Sequence, residues 1–265
     1  MKLIEFDLSG KFGFFSNNEN NQELLVSYPH IHKITILGLL GGILGMSGHK
    51  KAAITGKNHP EFYTKLNKIK VSITPLNKNK DMGEFDGVFE RINLTLNNSS
   101  GWANKGRIDG KSPGANMILP YSILVNPSWH IVLDLSDLDI ELVNDLTDRL
   151  VNSKYEFMPY LGRAEYFAFI TNVKISEGTP VSNTSGIKIC GLCLGKNAKT
   201  ISQKNPMLNR KNKINRTFYK QYLLPVKYTD DKCYYEKEFM FITNKMVDID
   251  STNIIYVNGK NYCLI

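Results

Sequence analysis

Tyr28, His30, His32 and Lys33 fall within six residues of one another and together carry the chemistry of metal-free RNA cleavage. In that chemistry a Tyr or His takes the proton from a 2′-hydroxyl and a Lys or His serves the leaving group. The reading preferred for them is that they only bind RNA or hold the turn before the apolar segment that follows, since sequence alone supplies neither a pKa nor a geometry. Other constellations are weaker. Cys190-Gly-Leu-Cys193 is the only C-x-x-C, and Cys233 and Cys263 lack the second paired spacing of a four-cysteine zinc site. Strand alternation would send Cys190 and Cys193 to opposite faces, so the four cysteines are expected as buried free thiols. The run Gly38-Leu-Leu-Gly41-Gly42-Ile-Leu-Gly45 is not G-x-G-x-x-G. Gly106 to Ser112 falls one residue short of a P-loop, and Pro113 blocks the helix such a loop feeds. No H-E-x-x-H, G-x-S-x-G or paired-carboxylate cluster occurs, so no metal, cofactor or catalytic set is expected.

The elements that must position these residues belong to a chain of 265 residues with 42% hydrophobic and 22% charged content, which rules out wholesale disorder. The net charge of +8 favours an anionic partner, and its distribution is uneven. Between Gly178 and Thr229 there are ten Lys and Arg and no acid, including the run Arg210-Lys211-Asn212-Lys213, which is expected to contact an anion. Tyrosines and a phenylalanine interleave with this tract, as suits stacking on unpaired bases, although strand formation is the preferred account of the tyrosines. A second cluster runs from Lys50 to Lys80 with Glu61 among its lysines, while Asp134 to Asp148 is acidic and would repel nucleic acid.

Alternation at residues 2–8 and 69–75 predicts strands, and Ile34 to Met46 predicts a buried helix stopped by Ser47 and Gly48. Four glycines in that helix cost propensity, about 1 kcal/mol each against Ala, and call for close approach of another backbone, expected to be a sheet. Residues 77–114 are rich in Gly and Asn and predict a protruding excursion around a strand at Phe89 to Leu96. Two strands broken at Asn126-Pro127 follow, then a helix from Asp139 to Val151 with Ile140, Val143, Leu146 and Leu150 on its apolar face, then a strand from Ala164 to Ile175. This order is that of an α+β, ferredoxin-like domain of the RNA-recognition type carrying an insertion. Strands alone follow Gly178. The division expected is 1–177 for the ferredoxin-like domain and 178–265 for a smaller β-rich lobe.

Two landmarks carry a family resemblance. Ser27-Tyr28-Pro29-His30-Ile31-His32 with the Leu37 to Gly45 run resembles the N-terminal signature of the CRISPR-associated Cas-five family, and Met158-Pro159-Tyr160-Leu161-Gly162-Arg163-Ala164-Glu165 resembles its second landmark. The flavour is closest to the type I-B branch. The resemblance implies a RAMP-type, non-catalytic subunit of Cascade that grips the 5′ handle of the CRISPR RNA. It also implies contact with the backbone and large subunits, and with target DNA indirectly through the complex. It places a thumb at 77–114, with Trp102, Lys105, Arg107 and Lys111 as thumb residues, and Tyr28, His30, Lys33 and Arg163 near the handle. Arg210, Lys211 and Lys213 join them from the charge reading. One branch of the family, in type I-C systems, cleaves repeat RNA with a Tyr, Lys and His set. A metal-independent endoribonuclease is therefore the alternative. The acidic N-terminus lacks the apolar stretch of a signal peptide and the longest apolar run is 13 residues, so a cytoplasmic protein without membrane contact is expected.

Overall fold

In the computed structural model, residues 1–17, 24–76, 88–97, 116–195, 199–200, 218–249 and 253–265 are described. The order of the main elements is β1 (Lys2–Gly10), α1 (Lys33–Ile43), α2 (His49–Ile54), α3 (Glu61–Leu66), β2 (Lys70–Pro75), β3 (Val88–Asn97) and β4 (Asn116–Val125). Then come β5 (Ser128–Asp134), α4 (Ile140–Val151), β6 (Ala168–Glu177), β7 (Tyr219–Tyr228), β8 (Tyr235–Thr243), β9 (Ile254–Val257) and β10 (Lys260–Cys263). The protein is mixed α+β and rich in strands. A four-stranded antiparallel sheet in the order β2-β5-β1-β6 forms its centre. Between β2 and β5 the chain runs out and back as the antiparallel pair β3–β4, from Val88 opposite Val125 to Asn97 opposite Asn116.

Alternation along β1 sets the two faces of the sheet. Ile4, Phe6 and Leu8 enter the main core with α1 and α4, while Leu3 packs with Ile255, Val257 and Tyr262 of the β9–β10 hairpin. Glu5 and Asp7 share the face of Leu3, and both meet His130 of β5, at 3.1 Å from Nε2 and 2.7 Å from Nδ1. Asn258, at the hairpin turn, donates to the other oxygen of Glu5 at 3.0 Å, so a buried carboxylate is satisfied by the element that covers it.

Helix α1 is apolar almost all round, with Ile34, Ile36, Leu37, Leu39, Leu40 and Ile43 buried, each worth roughly 1.5–3 kcal/mol when fully removed from water. Its glycines do not meet a sheet. A Cβ on Gly41 would lie 2.3 Å from that of Phe62, so the close approach is made by α3, a helix the sequence reading did not include. The helix also ends earlier than expected. Gly45, at φ +73°, donates to Gly42 O while Met46 N–H returns to Gly41 O at 2.8 Å, which closes the last turn as a Schellman motif before Ser47 is reached.

Helix α4 starts beside Asp139, and Val143, Leu146 and Leu150 are buried as expected. Ile140 is 68% exposed, while Leu142 of the same turn packs against the core. The next strand starts at Ala168 rather than Ala164, after a turn in which Tyr166 N–H bonds Arg163 O. Past 178, Leu192, Leu224, Val226, Met240, Ile242 and Ile265 belong to the same buried cluster as Ile4 and Phe6, so the core is continuous across the expected boundary. Cys190 and Cys193, expected on one strand, lie in two short pieces, Ile189–Cys190 and Cys193–Leu194, turned by Gly191 at φ +86°. Cys193 and Cys263 are buried in one cluster, whereas Cys190 and Cys233 are only half-buried. No helix among the described residues is long and apolar enough to cross a membrane.

Candidate nucleic-acid interface

The two sequence landmarks, more than a hundred residues apart, meet through one short segment. Tyr28 N–H donates to Phe15 O at 2.7 Å, and Phe15 N–H donates to Ser27 Oγ at 2.9 Å, so the turn before α1 is tied to Phe15 from both sides. From the opposite direction Phe14 N–H donates to Leu161 O at 3.0 Å. Gly162, at φ +84°, lies against Phe14, where a Cβ would fall 1.8 Å from the carbonyl oxygen. The two residues just before the second landmark reach the far end of α1. Glu156 N–H donates to Ile43 O at 3.1 Å and Phe157 N–H to Gly42 O at 3.3 Å. Carbonyls orphaned at a helix C-terminus are thereby satisfied.

Between the two lies a groove of about 630 Å³, floored by Thr35, Gly38, Leu39 and Gly42 of α1. Phe157 (59% exposed), Met158 (63%) and Tyr160 (47%) stand at its rim. Lys50 and His49 of α2 line the other side, and α2 carries no acid. Exposed aromatics beside lysines are a combination that holds single-stranded nucleic acid, rings taking bases and ammonium groups taking phosphates. Sequence reasoning missed Phe157, Met158 and Lys50 as interface residues, although Met158 and Tyr160 lie inside the quoted landmark.

The expected site residues divide. Tyr28 and His30 are 2% and 1% exposed; the Tyr28 ring meets His32, which meets Tyr235, and the His30 ring meets Tyr222. The Tyr28 hydroxyl has no hydrogen-bond partner among the described residues, and Lys237 Nζ lies 5.4 Å from the ring centroid. Burial, and secondarily Lys237, lowers the His32 pKa to about 3, so this ring is neutral at physiological pH and pairs with Thr35 Oγ1 at 3.0 Å. Lys33 lines two further cavities on the other side of α1, with Lys68 and Lys70 around one and His59 and Lys227 around the other. Burial, then the charge of Lys70, brings its pKa down to about 8. Arg163 lies 4.8 Å over the Tyr121 ring of β4 and bonds Glu165 at 2.7 Å, which ties the second landmark to the β3–β4 pair. Trp102, Lys105, Arg107, Lys111, Arg210, Lys211 and Lys213 lie outside the described residues. No group of three His, Cys, Asp or Glu among the described residues could hold a metal ion.

No protein-family model matches the chain, and no curated protein does. Among solved structures, the chain is similar to a chain of a CRISPR RNA-guided surveillance complex, at 10% identity and TM-score 0.48, over 92% of this chain and 91% of that one. It is similar also to a CRISPR protein from Archaeoglobus fulgidus, at 11% identity and TM-score 0.47, over 99% and 98% of the two chains. A chain of a type III-B Cmr-beta complex bound to cognate target RNA is similar at 11% identity and TM-score 0.37, over 93% and 86%.

Proposed function

We propose that this protein is a non-catalytic RNA-binding subunit of a Cascade-type CRISPR complex, holding the 5′ handle of the CRISPR RNA. The observation that carries this is the meeting of both sequence landmarks around one groove with an exposed aromatic rim and adjacent lysines. The sheet order supports the ferredoxin-like, RAMP-type assignment. Counting only its four strands, the order is 2-3-1-4 with helices after the first and third. The β3–β4 pair leaves the sheet between its second and third strands, where the resemblance expects the thumb. Trp102, Lys105, Arg107 and Lys111 would then meet RNA or the backbone subunit from that excursion, and Arg210, Lys211 and Lys213 would add phosphate contacts. Base pairing by the RNA would read target DNA while the protein holds backbone and shape.

A metal-independent endoribonuclease is the second reading, favoured by one observation: Tyr28, His32 and Lys237 come together. Burial of Tyr28 and His32 supports binding over cleavage, since a 2′-hydroxyl must come within hydrogen-bond reach of its base. The test mixes the protein with 5′-labelled CRISPR repeat RNA and with unrelated RNA of equal length, in EDTA, on native and denaturing gels. The expected result is a shifted, intact repeat RNA bound in preference to the unrelated one, with Tyr28→Phe unchanged in binding. Discrete cleavage lost in Tyr28→Phe would establish the nuclease instead. Equal affinity for both RNAs would overturn handle recognition.

A further inference from the structure

Gly42 occupies a position for which the fold itself gives no reason. A Cβ built on it meets nothing within 4 Å, whereas on its neighbour Gly41 it would collide with Phe62. Glycine costs helix stability relative to alanine, so a glycine with open space above it is a cost without a packing return in this chain. Gly42 is one of the residues that line the groove, and the space above it opens there. Gly38, one turn earlier, is in no more than ordinary contact with the Phe62 ring, and further back Thr35 and the neutral His32, bonded to each other at 3.0 Å, bring no charge to the groove. Phe157, Met158 and Tyr160 expose apolar surface at the opposite wall. A groove of about 630 Å³ is in the range of small-ligand sites, roughly 300–1,000 Å³.

We infer that the recess over Gly42 takes one unstacked nucleotide of the bound single strand, its base between the α1 floor and the Phe157–Tyr160 rim and its phosphate toward Lys50 of α2. The inference rests on the RNA-binding reading and specifies where one base goes. Charge decides between a nucleotide and an apolar side chain of another protein. The α2 wall presents His49 and Lys50 with no acid, and Lys51 adds a further positive charge to that helix, a surface complementary to a phosphate. Thr35 and the neutral His32, further back in the same groove, add no charge to oppose that wall.

The test uses the full chain, Gly42→Leu and Gly42→Ala, with repeat-derived RNA carrying 2-aminopurine at one position at a time. Leucine fills the recess and is a better helix former than glycine, so the variant should melt at the same temperature as the parent or higher. Gly42→Leu should bind RNA about tenfold more weakly, the effect of losing one base–aromatic stack. One 2-aminopurine position should brighten on binding to the parent and not to Gly42→Leu, with Gly42→Ala between them. If the parent binds RNA and Gly42→Leu binds it equally well with the same fluorescence, the inference is wrong, and failed assembly with protein partners would then assign the recess to a side chain. If the parent binds no single-stranded RNA, the RNA reading fails and this inference falls with it.

Discussion

Gly162→Ala is expected to cost about 4 kcal/mol of stability, at the upper end of single-substitution effects. Two costs add. The backbone at Gly162 has φ +84°, a region that L-residues with a side chain pay to enter. The new methyl would also lie 1.8 Å from the Phe14 carbonyl oxygen and 2.8 Å from its carbon, and a backbone atom cannot rotate away as a flexible side chain does. Relief requires Phe14 to move, which strains the Phe14–Leu161 hydrogen bond and, through Phe15, the turn at Tyr28. A drop in melting temperature on the order of 10 °C is expected for a chain of this size. Gly48→Ala is the control, because a Cβ there meets nothing within 4 Å. Equal melting temperatures for the two variants would show that the landmarks are not locked through residues 14 and 162.

Lys33→Met should raise stability at neutral pH. The Lys33 ammonium is largely removed from water at the first turn of α1, with Lys70 as its nearest like charge, and its pKa falls from 10.5 to about 8. For a base whose folded pKa lies below its unfolded value, the unfolded chain binds more protons between the two. Stability therefore rises as pH climbs from about 8 toward 10.5, and below pH 8 the full cost of about 3 kcal/mol is present. Methionine keeps the length and removes the charge, so Lys33→Met should recover much of that cost at pH 7 and flatten the alkaline rise. If Lys33 holds a phosphate, the same variant binds RNA more weakly and its affinity depends less steeply on salt, the log–log slope falling by about one. A variant less stable at pH 7 than the parent would mean that the ammonium has an anionic partner in the folded protein.

Much of the central sheet was legible because its signals are periodic. Residues 2–8 alternate and form β1, and Val143, Leu146 and Leu150 recur at helical spacing and are buried. The turn at Asn126 was marked by Asn-Pro, and Asn126 adopts φ 48°. What escaped had short or local signals. Helices α2 and α3 have six residues each, too few for a period to show, and the lysines of α2 read only as charge. The β9–β10 hairpin was legible in principle. Asn258-Gly259 between apolar runs is a two-residue hairpin turn, with both residues at positive φ as such a turn requires. The end of α1 depended on which of several glycines turns left-handed, and that is decided by Glu156 and Phe157 packing on the last turn.

The interface divided in the same way. Landmark residues told where the chain would do something, but not which of them would be exposed. Tyr28 and His30 went into the core because the turn at 27–28 is clamped by Phe15, leaving their types as packing and not as contact groups. Phe157 carries no signal of exposure and Met158 stands out only as part of the landmark, since sequence does not separate an exposed apolar residue from a buried one. Only the geometry of residues 156–162, pinned at α1 and at Phe14, turns their side chains outward.

Photo-crosslinking tests the central claim most directly. The protein is bound to repeat RNA carrying 4-thiouridine, irradiated and digested, and the adducts are located by mass spectrometry. The account predicts adducts at residues 157–160 and at 48–50, which line the groove. Adducts confined to the acidic helix α4, or to any surface that excludes both walls, would contradict it.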